Sequence, residues 1–437
     1  MTKNKEQNTS DWSRLIVLIL RFVLGSVFAF SGFVKAVDPW GVLYKFEDYQ
    51  AVLGWDWLSP FLLFGAFVVS IFEFLLGVCL IVGAYRRVSV WLSLLFMLVM
   101  TPLTLWLAVT EAVPDCGCFG EAIIMSNWTT FFKNIVLLII VIYLIRHNVK
   151  LPNFYSPSIQ WIITSLTIIF ITTIASYGYF YQPMIDFRPY KVGTSIAKAG
   201  EVNVDVDSFV FIYEKDGNLQ EFKMNEVPED TTWTFVERKY VGTNNPETNL
   251  ESGIVVMEGD GDVTSEVIRQ EGEQIILVFS DLDDINITYT YLINIIDDLA
   301  RQLKVDVIGV TGATDEAIEE WKDMSMATYP IYRVEDTELK ILARGKPAVV
   351  YTRDGKVVWK RTLQSLSAAR VEEAIAGKGN MEWIAADYDG ANRIKAYSFM
   401  YLLTMILILI LNRSYAIYKF STRMIKKNRN KNVTLQS

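Results

Sequence analysis

Long runs of apolar residues alternate with shorter polar segments along most of the chain. Six of these runs are long enough to be interpreted as transmembrane helices. They cover approximately residues 15–34, 61–84, 88–109, 129–145, 159–180 and 397–411. The pattern therefore predicts a membrane α-helical bundle in a lipid bilayer, with a four-helix core and two further transmembrane helices.

The segments around these runs divide the chain into regions of different character. We predict a polar, disordered tail at 1–12, a four-helix membrane domain at 13–150, a fifth transmembrane helix at 157–181, a β-rich segment at 182–270, an α/β domain at 271–380, a sixth transmembrane helix at 396–412 and a basic tail at 413–437. Half of the residues, 51%, are hydrophobic and the mean hydropathy is +0.26, as expected for a membrane protein with a large soluble part.

Short apolar runs alternate with amphipathic stretches in the predicted α/β domain. Strands are predicted at 275–279, 305–310, 346–352 and 356–360, and helices at 292–303, 315–323 and 366–376. The order is βαβαββα, and a proline, Pro347, lies at the start of the third strand. The preceding segment has alternating runs such as 207–213, followed by a turn at 215–218, which is typical of β-structure.

Charge is distributed unevenly and predicts the orientation in the membrane. Residues 182–395 contain 39 acidic and 23 basic residues, a net charge of −16, which argues against binding to nucleic acid. Basic residues flank the runs at 86–87, at 146–150 and throughout the last tail, so both termini are predicted to be cytoplasmic. The loops 35–60 and 110–128 and the soluble domain are then periplasmic, and the protein lies in a bacterial cytoplasmic (inner) membrane.

The first external loop is rich in aromatic residues. Tryptophan, tyrosine and phenylalanine side chains recur between charges from Trp40 to Trp57. This density suits a loop or short helix at the level of the lipid headgroups. The alternative is an aromatic cap that packs over the helix bundle.

Two of the three cysteines, Cys116 and Cys118, lie in the second external loop. Residues two positions apart reach the Cα separation of a disulfide, roughly 4.4 to 6.8 Å, only if the backbone bends, and Gly117 permits the bend. A disulfide in so short an exposed ring adds little stability and is readily reduced, which favours a redox element. The alternative is two unpaired small residues in a tight turn.

Ionisable residues inside apolar runs usually have partners or line a cavity. Arg21 and Glu73 are the candidates here, and antiparallel neighbouring helices would allow them to pair and fix the helix register. Lys35 and Asp38 are predicted to form a cap at the surface. Two thiolates alone do not make a metal site, and the single histidine, His147, is predicted on the opposite side, so no metal site is expected.

The first 150 residues contain a recognisable set of motif residues. They are Arg21, Gly25, Gly32, Lys35 and Asp38 in the first run, Glu73 in the second, and Asp115, Cys116, Gly117, Cys118, Phe119 and Gly120 in the loop. Over residues 12–150 this pattern resembles the DoxX/MauE group of four-helix membrane proteins. MauE proteins are implicated in methylamine utilisation and in maturing a disulfide-rich enzyme, often beside a thioredoxin-like partner. The resemblance implies a thiol–disulfide role for Cys116 and Cys118.

The predicted α/β domain resembles a thioredoxin-like domain. Pro347 matches the proline that precedes one strand of that fold in the cis form. The family carries a Cys-x-x-Cys motif after its first strand, but residues 280–284 here are Ser-Asp-Leu-Asp-Asp and the domain contains no cysteine. Because disulfide exchange requires a thiolate, we predict a degenerate domain that serves in docking.

Three functions remain open from the sequence. In the first, a membrane protein of the DoxX/MauE type acts as an accessory thiol–disulfide oxidoreductase for an extracytoplasmic protein client. In the second, the protein is a non-catalytic scaffold whose acidic domain binds an envelope partner. In the third, it is a quinone-linked oxidoreductase, which requires an apolar pocket among the first four helices.

Overall fold

A computed structural model describes the chain in two compact units, Met1–Phe187 with Tyr388–Ser437, and Arg188–Asp387. The described residues are 2–147, 153–196, 209–215, 218–223, 234–240, 254–259, 261–280, 282, 285–385 and 389–434. Side chains are described for these residues except at 2–11, 209–240 and 426–434.

The first unit is made of helices. They are α1 (Thr2–Val37), α2 (Pro39–Leu53), α3 (Leu62–Val82), α4 (Arg86–Thr110), α5 (Asn127–His147), α6 (Gln160–Phe180) and, from the end of the chain, α13 (Gly390–Thr434). Six segments within them, including a 3₁₀ turn that leads into α3 and another that leads into α6, are long and apolar enough to cross a membrane. All six predicted spans are therefore present as helices, and the protein is an α-helical membrane protein.

The first predicted tail is helical rather than disordered, and the sixth helix is longer than predicted. Residues 2–11 continue α1, because strong helix formers such as Lys3, Lys5 and Glu6 run into the first span with no proline or glycine between them. The sixth helix begins at Gly390, where the Asp389 carboxylate accepts a hydrogen bond from the amide of Asn392, and it continues past Leu411 to Thr434. No proline or glycine follows Leu411 to stop the helix.

Glycines bring α1 and α3 close together. A Cβ atom at Gly32 would lie 2.2 Å from the backbone nitrogen of Phe74, and one at Gly77 would lie 2.2 Å from that of Ala29. Only glycine fits such a backbone contact, as in the small-residue interfaces of membrane helices. This contact fixes the register between the two antiparallel helices.

Helix α2 is the aromatic segment predicted between the first two spans. Its N-terminus is capped by Asp38, whose carboxylate accepts a hydrogen bond from the amide of Gly41. Trp40 is buried, stacks on Tyr179 and donates its indole N–H to the carbonyl oxygen of Tyr179. Trp57, beyond the helix, is 70% exposed. The first half of the segment thus forms the predicted cap, and the second half has the exposed aromatic residues expected at the headgroup level.

The second unit contains a mixed seven-stranded sheet in the order β10-β9-β6-β7-β8-β4-β5. Strands β6 and β7, and β7 and β8, are parallel, whereas β9 runs antiparallel to both β6 and β10. The strands are β4 (Met257–Glu258), β5 (Gly261–Asp262), β6 (Glu273–Phe279), β7 (Asp306–Thr311), β8 (Ile331–Arg333), β9 (Ala348–Arg353) and β10 (Lys356–Thr362). Buried apolar clusters cover both faces, one around Phe279 and Trp321 and the other around Val278 and Leu339.

Six helices remain, and three of them lie where the sequence predicts them. They are α7 (Thr264–Val267), α8 (Tyr289–Leu303), α9 (Asp315–Ser325), α10 (Asp336–Leu342), α11 (Ala368–Glu373) and α12 (Met381–Ile384). The prediction missed the helices α7, α10 and α12 and the strands β4, β5 and β8, because none of them is long enough to show a clear hydrophobic period. The peptide bond between Lys346 and Pro347 is cis.

A separate three-stranded antiparallel sheet accounts for the predicted β-rich segment. Its order is β2-β1-β3, from β1 (Phe209–Lys215), β2 (Asn218–Lys223) and β3 (Thr234–Tyr240). The predicted turn between β1 and β2 includes residues 216 and 217, which lie outside the described residues.

Candidate functional site

The loop between α4 and α5 carries the cysteine pair. Cys116 and Cys118 are joined as a disulfide, with Cα atoms 5.5 Å apart. Between them, Gly117 adopts a φ of 63°, and its Cβ, if present, would lie 3.1 Å from the Lys45 side chain. Both cysteines are only 8% exposed, so the expectation of an exposed pair is wrong. The loop folds inward because its backbone bonds to groups on α1 and α2.

Helix α2 holds the first half of the loop. The Tyr49 hydroxyl donates to the carbonyl oxygen of Cys116 at 3.0 Å, and the Lys45 ammonium lies 2.9 Å from the carboxylate of Asp115. The other oxygen of Asp115 accepts a hydrogen bond from the amide of Gly117 at 2.8 Å. Burial and the nearby charges of Asp115 and Asp48 raise the pKa of Tyr49, so its phenol remains a donor at neutral pH.

Helices α1 and α3 hold the second half through a buried ion pair. The Lys35 ammonium lies 2.8 and 2.7 Å from the two carboxylate oxygens of Glu73 and donates to the Ser31 hydroxyl at 3.0 Å. The Ser31 oxygen lies 2.6 Å from both a Glu73 oxygen and the carbonyl oxygen of Cys118. Lys35, Glu73 and Ser31 are all at least nine-tenths buried. A charged pair inside the membrane domain is thereby connected directly to the cysteine loop.

This arrangement corrects two pairings expected from the sequence. Glu73 bonds to Lys35 rather than to Arg21, whose guanidinium donates to the carbonyl oxygen of Ile81, on the turns of α3 that follow Glu73. The antiparallel register set by the glycines places Arg21 beside residues after Glu73. Lys35 is buried and does not form a surface cap with Asp38, which instead caps α2.

A third lysine lies beside the loop from α5. The Lys133 ammonium is 4.3 Å from the centroid of the Phe119 ring, a cation–π contact, and Phe119 packs edge-on against Phe30. Three lysines from three helices therefore surround the cysteine pair, two of them bonded to carboxylates. The two carboxylates balance two of these charges, and the remaining positive charge favours the thiolate form of a reduced cysteine.

A cavity of about 290 Å³ opens beside the disulfide. The polar part of its wall contains Lys35, Glu73, Lys45, Asp115 and the cysteine loop. Its apolar part includes Val34, Val69, Phe96, Val99, Met100 and Leu103. A smaller space of about 30 Å³ adjoins the ion pair between α1, α3, α4 and α5. The apolar pocket that a quinone-linked function requires is present among the first four spans.

Four residues of this site were not recognised from the sequence: Ser31, Lys45, Tyr49 and Lys133. Ser31 and Lys35 are four residues apart on α1, and Lys45 and Tyr49 are four apart on α2, so each pair lies on one helix face. Lys133 is a charged residue within the fourth apolar run, as Arg21 is within the first. Neither spacing nor composition shows that these residues meet the cysteine loop, because the loop conformation determines which groups it contacts.

The other candidate residues are not among those that line this cavity. Cys79 is a buried free cysteine on α3, as expected, and the His147 ring contacts the carbonyl oxygen of Tyr143 within α5. Among the described residues there is no group of three histidine, cysteine or carboxylate residues that could hold a metal ion. Pro347 lies in the second unit, in the segment that leads into β9, and positions 281, 283 and 284 after β6 are outside the described residues.

The helical bundle, its buried ion pair and its cysteine loop define an integral membrane protein with a cavity at one end of four spans. Residues 13–146 match the family described as methylamine utilisation protein MauE. Residues 208–241 match a domain of unknown function, DUF8463, over the three-stranded sheet. No curated protein and no solved structure matches the chain.

Proposed function

We propose that the MauE-like bundle is a thiol–disulfide redox centre in which Cys116 and Cys118 alternate between disulfide and dithiol. The observation that carries this proposal is the position of the pair: it is held on the wall of a membrane cavity by Tyr49, Lys45 and the Lys35–Glu73 pair. A disulfide kept only for stability would gain little from so short a ring. The surrounding lysines support attack by a thiolate.

The client that we propose is an extracytoplasmic protein whose disulfides are formed or maintained. The orientation predicted from the positive charges supports this, because it places the loop outside the reducing cytoplasm, where disulfides persist. The family description supports a link to methylamine utilisation, and the role in maturing an envelope protein is what the resemblance to MauE proteins implies. In this scheme the protein is an accessory oxidoreductase of a bacterial inner membrane, and both of its termini are cytoplasmic.

We assign the second unit a thioredoxin-like fold that has lost its cysteines. The support is the strand order β10-β9-β6-β7-β8, the parallel β6–β7 pair and the cis Pro347 before antiparallel β9. No cysteine occurs in residues 182–395, so this unit cannot exchange disulfides itself. Its proposed role is to recruit the client to the redox loop.

Alkylation in intact cells tests the redox proposal. With Cys79→Ala as the background, the remaining thiols report on the pair alone. A membrane-impermeant maleimide should label two thiols only after treatment with a reductant, and a Cys116→Ser/Cys118→Ser variant should not be labelled under either condition. Two thiols labelled without a reductant, in cells grown under oxidising conditions, would remove the redox claim.

The rival function is a non-catalytic scaffold, favoured by the acidic second unit with its net charge of −16 over residues 182–395. Capture of envelope proteins by the full-length protein separates the two functions. The scaffold is supported if the Cys116→Ser/Cys118→Ser variant captures the same partners and leaves their disulfides intact. The redox function is supported if the partners are captured but accumulate as free thiols.

A further inference from the structure

We infer that the cavity beside Cys116 and Cys118 binds the ring of a lipid-soluble quinone, which accepts the electrons of the reduced pair. This inference rests on the proposed redox function and names its electron acceptor. The access of the cavity to the bilayer, the polar groups on its wall and the chemistry that the cysteine pair needs all favour a quinone.

The cavity reaches the surface of the bundle through α4. Val99 contributes to its wall and is 61% exposed, and Ile124 at the rim is 62% exposed. Val99 lies within a candidate membrane span, so this surface faces lipid. A ligand dissolved in the bilayer can therefore enter sideways without crossing water, and the volume of about 290 Å³ suits a single substituted ring.

The polar wall distinguishes a quinone from a lipid acyl chain. An acyl chain makes no use of a hydrogen-bond donor, whereas a quinone presents two carbonyl oxygens. The Lys35 ammonium lies on the cavity wall together with Glu73, and a buried ion pair within a membrane domain is costly unless it serves packing or chemistry. We assign Lys35 as the donor to one quinone oxygen, which would replace one of the three contacts that its ammonium makes with Glu73 and Ser31.

The redox chemistry needs an acceptor of two electrons. The third cysteine, Cys79, is buried on α3 and bonded to no other cysteine, so the chain has no second pair to relay electrons. In the reaction, the two S–H bonds break, one S–S bond forms, and the quinone takes two electrons and two protons to become a quinol. Lys35 stabilises the quinone oxygen on which negative charge develops during the reduction. Glu73 balances the positive charge of Lys35 in the absence of the quinone.

The test uses the reduced full-length protein in nanodiscs of phosphatidylcholine and phosphatidylglycerol, with decylubiquinone as the probe. We expect one quinol per disulfide formed, followed by absorbance and by mass after alkylation. Cys116→Ser/Cys118→Ser should form no quinol. In parallel, the cysteine pair is equilibrated with glutathione buffers. This measurement shows whether the pair can form its disulfide when no quinone is present.

Two tryptophan variants provide a matched pair on α4. Val99→Trp fills the cavity mouth, and Leu95→Trp lies one turn away, does not line the cavity and starts from the same 61% exposure. Val99→Trp should slow quinol formation by about tenfold or more and Leu95→Trp should not. Equal rates in the two variants would overturn the site.

Lys35 is tested by replacing both members of the ion pair, because a single substitution leaves a buried charge unpaired. Lys35→Met/Glu73→Leu should still form the disulfide in glutathione buffer but lose about a hundredfold in quinol formation. A quinol rate unchanged from that of the unmodified protein would overturn the role of Lys35.

Photolabelling gives a readout that does not depend on activity or on any variant. An azidoquinone should label the unmodified protein on α4 between Phe96 and Leu103, and excess decylubiquinone should prevent this. Labelling elsewhere overturns the site. If the pair equilibrates with glutathione but never with quinone, the acceptor proposal fails and the redox function stands. If the pair equilibrates with neither, the redox function fails as well.

Discussion

The hydroxyl oxygen of Ser31 lies 2.6 Å from the carbonyl oxygen of Cys118, so the first span bonds directly to the backbone of the cysteine loop. The same hydroxyl lies 2.6 Å from Glu73 and has one hydrogen to donate. Its orientation links the loop to the buried ion pair. The position of the loop and the charges of the pair are therefore connected through a single side chain.

Ser31→Ala should loosen the cysteine loop. The substitution leaves the buried carbonyl of Cys118 without this donor and should destabilise the protein by about 1–3 kcal/mol. It should also increase the rate at which the reduced pair is alkylated. Ser70→Ala is the matched control, because Ser70 is also buried and its hydroxyl donates within its own helix, to the carbonyl oxygen of Ala66. Equal effects of the two substitutions on thermal unfolding in detergent would contradict this prediction.

The Lys35–Glu73 pair should show strong coupling in stability. Lys35→Met or Glu73→Leu alone leaves one charge buried and should cost about 3–5 kcal/mol, whereas the double substitution should restore most of the loss. Thermal unfolding of the three variants measures the coupling. Lys45→Met provides a comparison, because its pair with Asp115 is partly exposed and its loss should cost no more than about 1 kcal/mol. Additive losses in the double variant would show that the two charges are solvated separately.

Asp115→Asn should make the reduced cysteine pair more reactive. The substitution removes a negative charge beside the loop and leaves Lys45 with the more distant carboxylate of Asp48, 3.8 Å away, so that its ammonium can stabilise a thiolate, which is the nucleophilic form. We expect alkylation at neutral pH to be faster by about tenfold, and slower in Lys45→Met. The rates are measured with iodoacetamide on the reduced Cys79→Ala background. The same direction of change in both variants would mean that loop movement, rather than charge, controls reactivity.

Gly77→Ala should separate α1 from α3. The new Cβ would lie 2.2 Å from the backbone nitrogen of Ala29, so one of the helices must move, at a cost of about 1–3 kcal/mol or more. Gly65→Ala on the same helix meets only the side chain of Phe46 at 3.3 Å and should be tolerated better. Helix packing is measured by thermal unfolding and by crosslinking between the two helices. Equal stability of the two variants would show that the helices do not approach this closely.

Glu338 should make the stability of the second unit depend on pH. Desolvation raises the pKa of its carboxyl, and the hydrogen bond from Tyr190 opposes the shift only in part. The folded state then binds a proton at higher pH than the unfolded state, so this group destabilises the fold above its folded pKa and the penalty disappears as the pH falls through it. Glu338→Gln should therefore stabilise the unit at neutral pH.

Hydrogen exchange of β6 and β9 in the full-length protein measures this effect. The gain in protection from Glu338→Gln should shrink as the pH approaches about 4, where the carboxyl of the unmodified protein is protonated. Glu372→Gln, at an exposed position in the same unit, should show no such trend. A gain of constant size across the pH range would rule out the titration of Glu338 as its cause.

Element types followed well from the sequence, whereas contacts did not. Apolar run length was sufficient to locate all six spans, because spanning a bilayer requires a long helix. Four strands of the seven-stranded sheet were visible as short apolar runs, whereas the short strands β4, β5 and β8 were not. The partner of Glu73 was not predictable, because it depends on a register set by the contacts of Gly32 and Gly77 with backbone atoms. Burial of the cysteines was missed for a related reason: their loop is turned inward by Tyr49 and Ser31.

The last helix, α13, has 45 residues and would extend about 68 Å at 1.5 Å per residue. The hydrocarbon core of a bilayer is only about 30 Å thick, so more than half of this helix must project into water or among headgroups. Tyr415, Tyr418 and Phe420, all more than 60% exposed, lie in the portion beyond Leu411, together with basic residues that suit an anionic lipid surface. A partner that binds near the C-terminus would therefore meet a helix that is already formed and is anchored in the membrane. Binding would cost little conformational entropy of this helix.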